Sequence, residues 1–186
     1  MSVVSKLERI TVDEYLDGEE RGDVRHEYVD GVIHAMVDAS VRHNLVTGGL
    51  FSLLYRQLRG SSCYVFQSDM KVRVDQAFYY PDIVVTCGDL DPAARYLSDP
   101  VLIAEVLSPS TEAKDRLEKM VSYQSLPSLK EYLLVAQDKV LVEILRRIDT
   151  GWQIETCSYG DRLNLESVGV NVPVEAIYED VMGQIA

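Results

Sequence analysis

The sequence predicts a mixed α/β fold, a mixed β-sheet core flanked by helices and entered through an N-terminal helix and a β-hairpin. Three observations carry that expectation. In "RHEYVDGVIHAM" the pair Asp30-Gly31 separates two β-prone runs, the commonest two-residue hairpin signal, because both residues tolerate positive φ. From Ser40 to Arg59 the apolar residues Val41, Leu45, Leu50, Leu53, Leu54 and Leu58 recur near helical spacing. After that helix, β-prone pieces and one further helix follow in no regular βαβ order, which favours a mixed sheet over a parallel one. With 186 residues and no Gly/Ser-rich or Pro-rich linker, residues 1–186 are expected to form a single domain.

The elements follow in order. Thr11 and Glu14 have capping-box spacing and open a short helix over 12–20. The hairpin strands fall near 25–29 and 32–37. The long helix covers 40–59, weakened in its middle by Gly48-Gly49. Strands are expected at 63–67, 69–74, 82–86 and 101–107, a helix near 111–125, strands at 131–135, 140–147 and 152–158, and a terminal helical turn after Pro173. Pro81 is tolerated before "DIVVT" because the first residue of a strand need not donate to the ladder.

Composition narrows the function. A 47% hydrophobic and 26% charged chain is ordinary for a globular protein. No apolar run approaches the roughly 18 residues of a membrane span, and "MSVVSKLERI" lacks a signal-peptide core, so a cytoplasmic location is expected. Cys63, Cys87 and Cys157 form no CxxC pair and read as reduced structural thiols. A glycine-rich phosphate loop, a GxSxG elbow and HExxH are all missing from the sequence. The formal charge of −12 disfavours long nucleic-acid tracks, since that affinity draws on Lys and Arg; local cations or a bound divalent metal can reverse the sign at a site.

Glu105 raises the chemical question, because it interrupts the apolar run "VLIAEVL". If the strands at 82–86 and 101–107 are antiparallel neighbours, the start of one lies beside the end of the other and Asp82 meets Glu105. Two such carboxylates repel unless a divalent cation sits between them, and Mg²⁺, which takes one or two protein carboxylates and fills the rest with water or phosphate, suits the pair. Phosphodiester hydrolysis also calls for a cation nearby. Leu107 shares the strand face of Glu105 and supplies none. Asp115, Lys119 and Tyr123 form one i,i+4 column on the next helix, and Lys119 is the candidate.

The stretch "YYPD…VLIAEVLSPSTEAKDRLEKMVSYQSLPSLKEYLLV", together with "EYVDGVIHAM", "RHN" and "SDMKVRV", resembles the Uma-two family of restriction-endonuclease-like proteins in the PD-(D/E)XK superfamily. The resemblance spans about residues 11 to 180 and is most specific over 105–135. It implies a restriction-endonuclease-like core, Mg²⁺ or Mn²⁺ at an acidic site formed by Asp82 and Glu105, and Lys119 as a catalytic lysine moved from strand to helix. It also suggests supporting places for Glu27, Asp115 and His43, nucleic acid, DNA first, as the partner, and a homodimer. Leu107 stands where the superfamily's E-x-K has lysine.

Each residue also has a plainer reading. Asp82 suits an ordinary turn after proline. Ala113, Leu117, Met120, Val121 and Gln124 define the expected buried stripe of the 111–125 helix, which leaves Lys119 nearly opposite, solvated and paired with Asp115. Glu27 suits a cross-strand charge. His26, His34 and His43 show no metal-ligand spacing, while Lys71 and Arg73, after Asp69, make a short cationic stripe that either meets phosphate or faces water. Lys114 and Arg116 fall near the proposed site. Two functions stay in play: a metal-dependent nuclease, favoured by the acidic-acidic-lysine set, and a non-catalytic binding or assembly module on the same fold, favoured by the net charge.

Overall fold

The computed structural model describes residues 9–36 and 39–184. Helix α1 (Val12–Arg21) starts with the expected capping box: the Thr11 hydroxyl accepts from the Glu14 amide and Glu14 reaches back to the Thr11 amide at 2.8 Å. β1 (His26–Val29) and β2 (Val32–Ala35) form the hairpin, and Asp30 and Gly31 at its turn have φ of 51° and 85°. The residue expected to end β2, Val37, lies outside the described residues, as do residues 1–8, where the leader question falls.

Helix α2 (Val41–Leu58) is capped by the Ser40 hydroxyl. A Cβ on Gly49 would lie 2.2 Å from the Ile177 carbonyl oxygen, so the glycine that weakens the helix is what lets the C-terminal turn Val174–Ile177 cross it. β3 (Cys63–Gln67), β4 (Lys71–Val74), β5 (Ala77–Tyr79), β6 (Ile83–Cys87), β7 (Tyr96–Leu97) and β8 (Pro100–Leu107) follow. α3 comprises Glu112–Lys114, a π turn over Asp115–Lys119, and Met120–Gln124. β9 (Glu131–Ala136), β10 (Leu141–Ile148), β11 (Gly151–Ser158), β12 (Arg162–Leu165) and β13 (Val170–Pro173) complete the strands. Short β5, β7, β12 and β13 carry too few residues to stand out as periodic runs.

The strands divide into a six-stranded sheet, β11-β10-β9-β8-β6-β3, a five-stranded sheet, β2-β1-β5-β4-β7, and the β12-β13 hairpin. In the larger sheet only β8 and β9 are parallel, and α3 is the crossover that a parallel pair requires. Side chains alternate across this sheet. Leu102, Ala104 and Val106 of β8 join Ile83 and Val85 against α2, whereas Ile103 and Leu107 join Val84 against Tyr123 and Tyr132. Glu105 has the parity of the second set and faces α3. Cys63 and Cys87, expected as separate thiols, are disulfide-bonded because antiparallel β3 and β6 place them directly opposite one another; Cys157 is a buried free thiol. Among the described residues no helix is long and apolar enough to cross a membrane.

Candidate functional site

The site lies at the carboxyl ends of β8 and β9, where α3 leaves the sheet, a place open α/β sheets commonly give to ligands. β6 and β8 are antiparallel with Ile83 opposite Ala104, which sets Asp82 beside Glu105 as the spacing implied. The Val106 amide donates to Asp82 Oδ2 at 2.7 Å, and the Asp82 amide lies 3.4 Å from Glu105 Oε2. Two backbone amides therefore tie both carboxylates to one corner of the sheet.

Lys119 reaches that corner from α3. Its Nζ is 2.9 Å from Glu105 Oε1, 3.0 Å from Glu27 Oε1 and 3.3 Å from Asp115 Oδ1. The last contact is within ion-pair range but off the line of a hydrogen bond, which leaves Asp115 Oδ1 without a hydrogen-bonding partner. Lys119 is only 5% exposed, contrary to the solvated position expected from the helical wheel. The apolar pair Leu117 and Val121, expected inside, is 67% and 65% exposed. The column Asp115, Lys119 and Tyr123 is the buried face: Tyr123 donates to Glu105 Oε1 at 3.2 Å, and the Tyr132 hydroxyl donates to the Asp115 carbonyl. Burying a lysine among carboxylates satisfies Glu105 and Glu27, which an apolar face could not do. The π turn runs from Asp115 to Lys119, and such turns frequently mark functional positions.

The remaining predicted groups also converge. Glu27 on β1 is buried and accepts from Lys114 Nζ at 2.6 Å. His43, in the first turn of α2, places Nε2 3.2 Å from Asp82 Oδ2. Asp82, Glu105, Lys119, Glu27, Asp115 and His43 all line one cleft of about 760 Å³. His34 lines it too, whereas His26 bonds Glu19 elsewhere. The Lys71 and Arg73 stripe does not reach the cleft: Lys71 donates to the Tyr80 hydroxyl, and Arg73 to the Asp75 carbonyl and Tyr96. Tyr123 and Lys114 gain weight that sequence reading did not give them. The i,i+4 spacing of Tyr123 from Lys119 was the available signal.

The electrostatics follow from crowding. Burial pushes the Glu105 carboxyl well above its ordinary range; Lys119 opposes the rise, and Asp115, Asp82 and Glu27 add to it. Asp115 is raised by burial against the pull of Lys119. Burial works to raise Glu27 as well, but Lys119 and Lys114 outweigh it and hold the group below the usual range. Burial disfavours charge on His43, yet the bond and charge of Asp82 leave it raised. Lys119 is raised because Glu105, Glu27 and Asp115 overcome its burial. Among the described residues no group of three or more His, Cys, Asp or Glu side chains forms a ready metal cage. The pair Asp82 and Glu105 is instead a two-carboxylate donor set in a carboxylate-rich pocket, the arrangement that suits a cation completed by water and phosphate.

Residues 12–175 match the model of a family described as "Uma2: Putative restriction endonuclease". The chain is 38% identical over 174 residues to the uncharacterized protein slr1290 of Synechocystis, covering 91% of this chain and 92% of that one. It is 32% identical over 182 residues to a second uncharacterized Synechocystis protein, sll1609, covering 94% and 97%. In three dimensions it is similar to a crystal structure from Anabaena variabilis described as "a putative nuclease belonging to DUF820", with a TM-score of 0.76 and 16% identity over 91% of this chain and 98% of that one. At that identity the likeness speaks for the fold.

Proposed function

This chain belongs to the Uma2 family, and from the site its fold builds we propose that it is a metal-dependent nuclease that hydrolyses nucleic-acid phosphodiester bonds. The observation that carries the reading is the meeting of Asp82, just before β6, with Glu105 of β8, where the Asp82 amide lies 3.4 Å from Glu105 Oε2 and the Lys119 ammonium 2.9 Å from Glu105 Oε1. Asp82 and Glu105 would hold Mg²⁺ or Mn²⁺. Such an ion supplies a water of lowered pKa and neutralises phosphate charge.

The protein's own groups do the rest. Lys119 keeps a positive charge beside Glu105 that opposes the rise burial imposes on the carboxyl, and a cation stands where phosphate charge grows. Glu27 and Asp115 orient the lysine. Lys114 in turn anchors Glu27, so the helix is tied to the hairpin. His43 presents Nε2 to Asp82 Oδ2, and a protonated ring there fixes the rotamer of the carboxylate. The amide of Val106 does the same from the strand. Lysine delivered from a helix fulfils the role left open by Leu107.

The net charge of −12 favours a second reading, a non-catalytic module that keeps the fold. Incubating the protein with mixed DNA and RNA at low salt, with Mg²⁺ or Mn²⁺ and then with chelator, separates the two. The nuclease reading expects cleavage that the chelator stops; intact substrates with either metal support the binding module.

A further inference from the structure

We propose that the scissile phosphodiester belongs to a short flexible strand, a dinucleotide or a frayed single-stranded end, and not to the interior of a duplex. This inference rests on the nuclease reading above and narrows its substrate. The candidate reactive groups lie deep: Glu105 is 3% exposed, Lys119 5%, and the Asp82 side chain 18%. A phosphate must descend into the cleft to reach them. Its volume of about 760 Å³ is that of a pocket for a small molecule and its neighbours, not of a groove that tracks a helix. Drawing a backbone unit inward requires unstacking, which costs least in a strand that is already single.

The charges point the same way. Arg42, Lys114, Arg116, Lys119 and Lys139 are the cations that line the cleft among the described residues. Lys119 is committed to three carboxylates and Lys114 to Glu27. Arg116 grips Glu143 through both terminal nitrogens and Glu112 through Nε. Lys119, Lys114 and Arg116 are thus matched to carboxylates, so little of their positive charge is left to neutralise a run of phosphates. Away from the cleft the pattern repeats. Arg95 pairs with Asp17 and Glu20, Arg146 with Glu131 and Glu155, and Arg147 donates to three carbonyls beneath Trp152. A duplex binder neutralises many phosphates with an exposed basic track; a chain of net charge −12 whose cleft residues Lys114, Arg116 and Lys119 are held by carboxylates suits a ligand carrying one or two.

The test uses the intact protein with Mn²⁺ and four substrates: a thymidine dinucleotide, an end-labelled linear single strand, the same strand closed into a circle, and a closed circular duplex. The dinucleotide should be split, or the linear strand shortened from an end, and which of the two is faster tells a free dinucleotide from a frayed end. Both circles should react at least about 100-fold more slowly, and the logarithm of the cleavage rate should fall against the logarithm of salt with a slope no steeper than about 2. Circles cut as fast as the linear strand, with a slope near 6 or steeper on the order expected of a duplex binder, would overturn this inference and leave the nuclease reading standing. Failure to cut any of the four with metal present overturns the nuclease reading, and the inference goes with it.

Discussion

Two groups of charged side chains are buried against the same large sheet. On β9 and β10 the Arg146 guanidinium meets Glu131 at 2.6 Å and Glu155 at 3.0 Å, and donates to the Asn164 carbonyl. Glu131 also accepts from the Glu166 and Ser167 amides and from the Ser167 hydroxyl, so this cluster stitches the β12 end to the sheet. Where β8 and α3 meet, by contrast, Glu27, Glu105 and Asp115 crowd around Lys119, with Asp82 beside Glu105 and Lys114 and His43 at the margin, and the group opens into a cleft. Both are buried; in one the carboxylate and the guanidinium are closely paired, with only Arg146 Nε lacking a hydrogen-bond partner among the described residues, while the other is rich in carboxylate and opens into the cleft. Burial of charge alone is therefore poor evidence of function, and the imbalance beside a cavity is the informative feature.

Substitutions in the two clusters should separate activity from stability. Glu105→Gln should lower metal-dependent cleavage by at least about 1,000-fold, equivalent to roughly 4 kcal/mol of transition-state stabilisation, while thermal unfolding shows no loss of stability because one crowding charge is gone. Cleavage within tenfold of the parent would remove Glu105 from the site. Arg146→Met should do the reverse, costing about 3–5 kcal/mol in denaturant unfolding by stranding buried Glu131, with activity per folded molecule unchanged. A loss of activity in the folded variant would show that the closed cluster also serves the reaction. Lys119→Met belongs with the first region and should reduce the cleavage rate about 100-fold, as removal of one positioned donor does; full activity would assign the charge to another residue.

A smaller effect comes from proton linkage. Glu105 and Asp115 are raised in the folded chain, chiefly by burial. The folded state then binds protons more tightly than the unfolded one, so their contribution is greatest below the unfolded carboxylate range, near about pH 4, and is lost as pH rises through the raised values. In metal-free protein, Glu105→Gln should therefore lose less stability than the parent between acidic and neutral pH. Parallel stability curves for the two proteins would contradict the crowding described for this cluster.

Much of this arrangement was legible in the residues. Asp30-Gly31 fixed the hairpin, Thr11 and Glu14 the first cap, and the spacing of the β6 and β8 strands the meeting of Asp82 with Glu105. The i,i+4 column of Asp115, Lys119 and Tyr123 was visible too, but not the direction it faces. A helical wheel assumes that apolar residues seek the core, and here the core offers buried Glu105 and Glu27, so the polar column turns inward and Leu117 and Val121 turn out. The Cys63–Cys87 bond escaped notice for another reason. Sequence separation says nothing about strand register, and only the pairing of β3 with β6 makes the two cysteines opposite neighbours. Tyr80, which donates to Glu19 while its backbone amide reaches Glu27, was hidden in the same way.

Calorimetric titration of Mn²⁺ into the parent chain and into Glu105→Gln tests the assignment of this corner most directly. One ion should bind per parent chain and none to the variant, whose cooperative unfolding stays intact. No heat of binding in the parent, or equal binding by the two proteins, would contradict the proposal that Asp82 and Glu105 hold a catalytic cation.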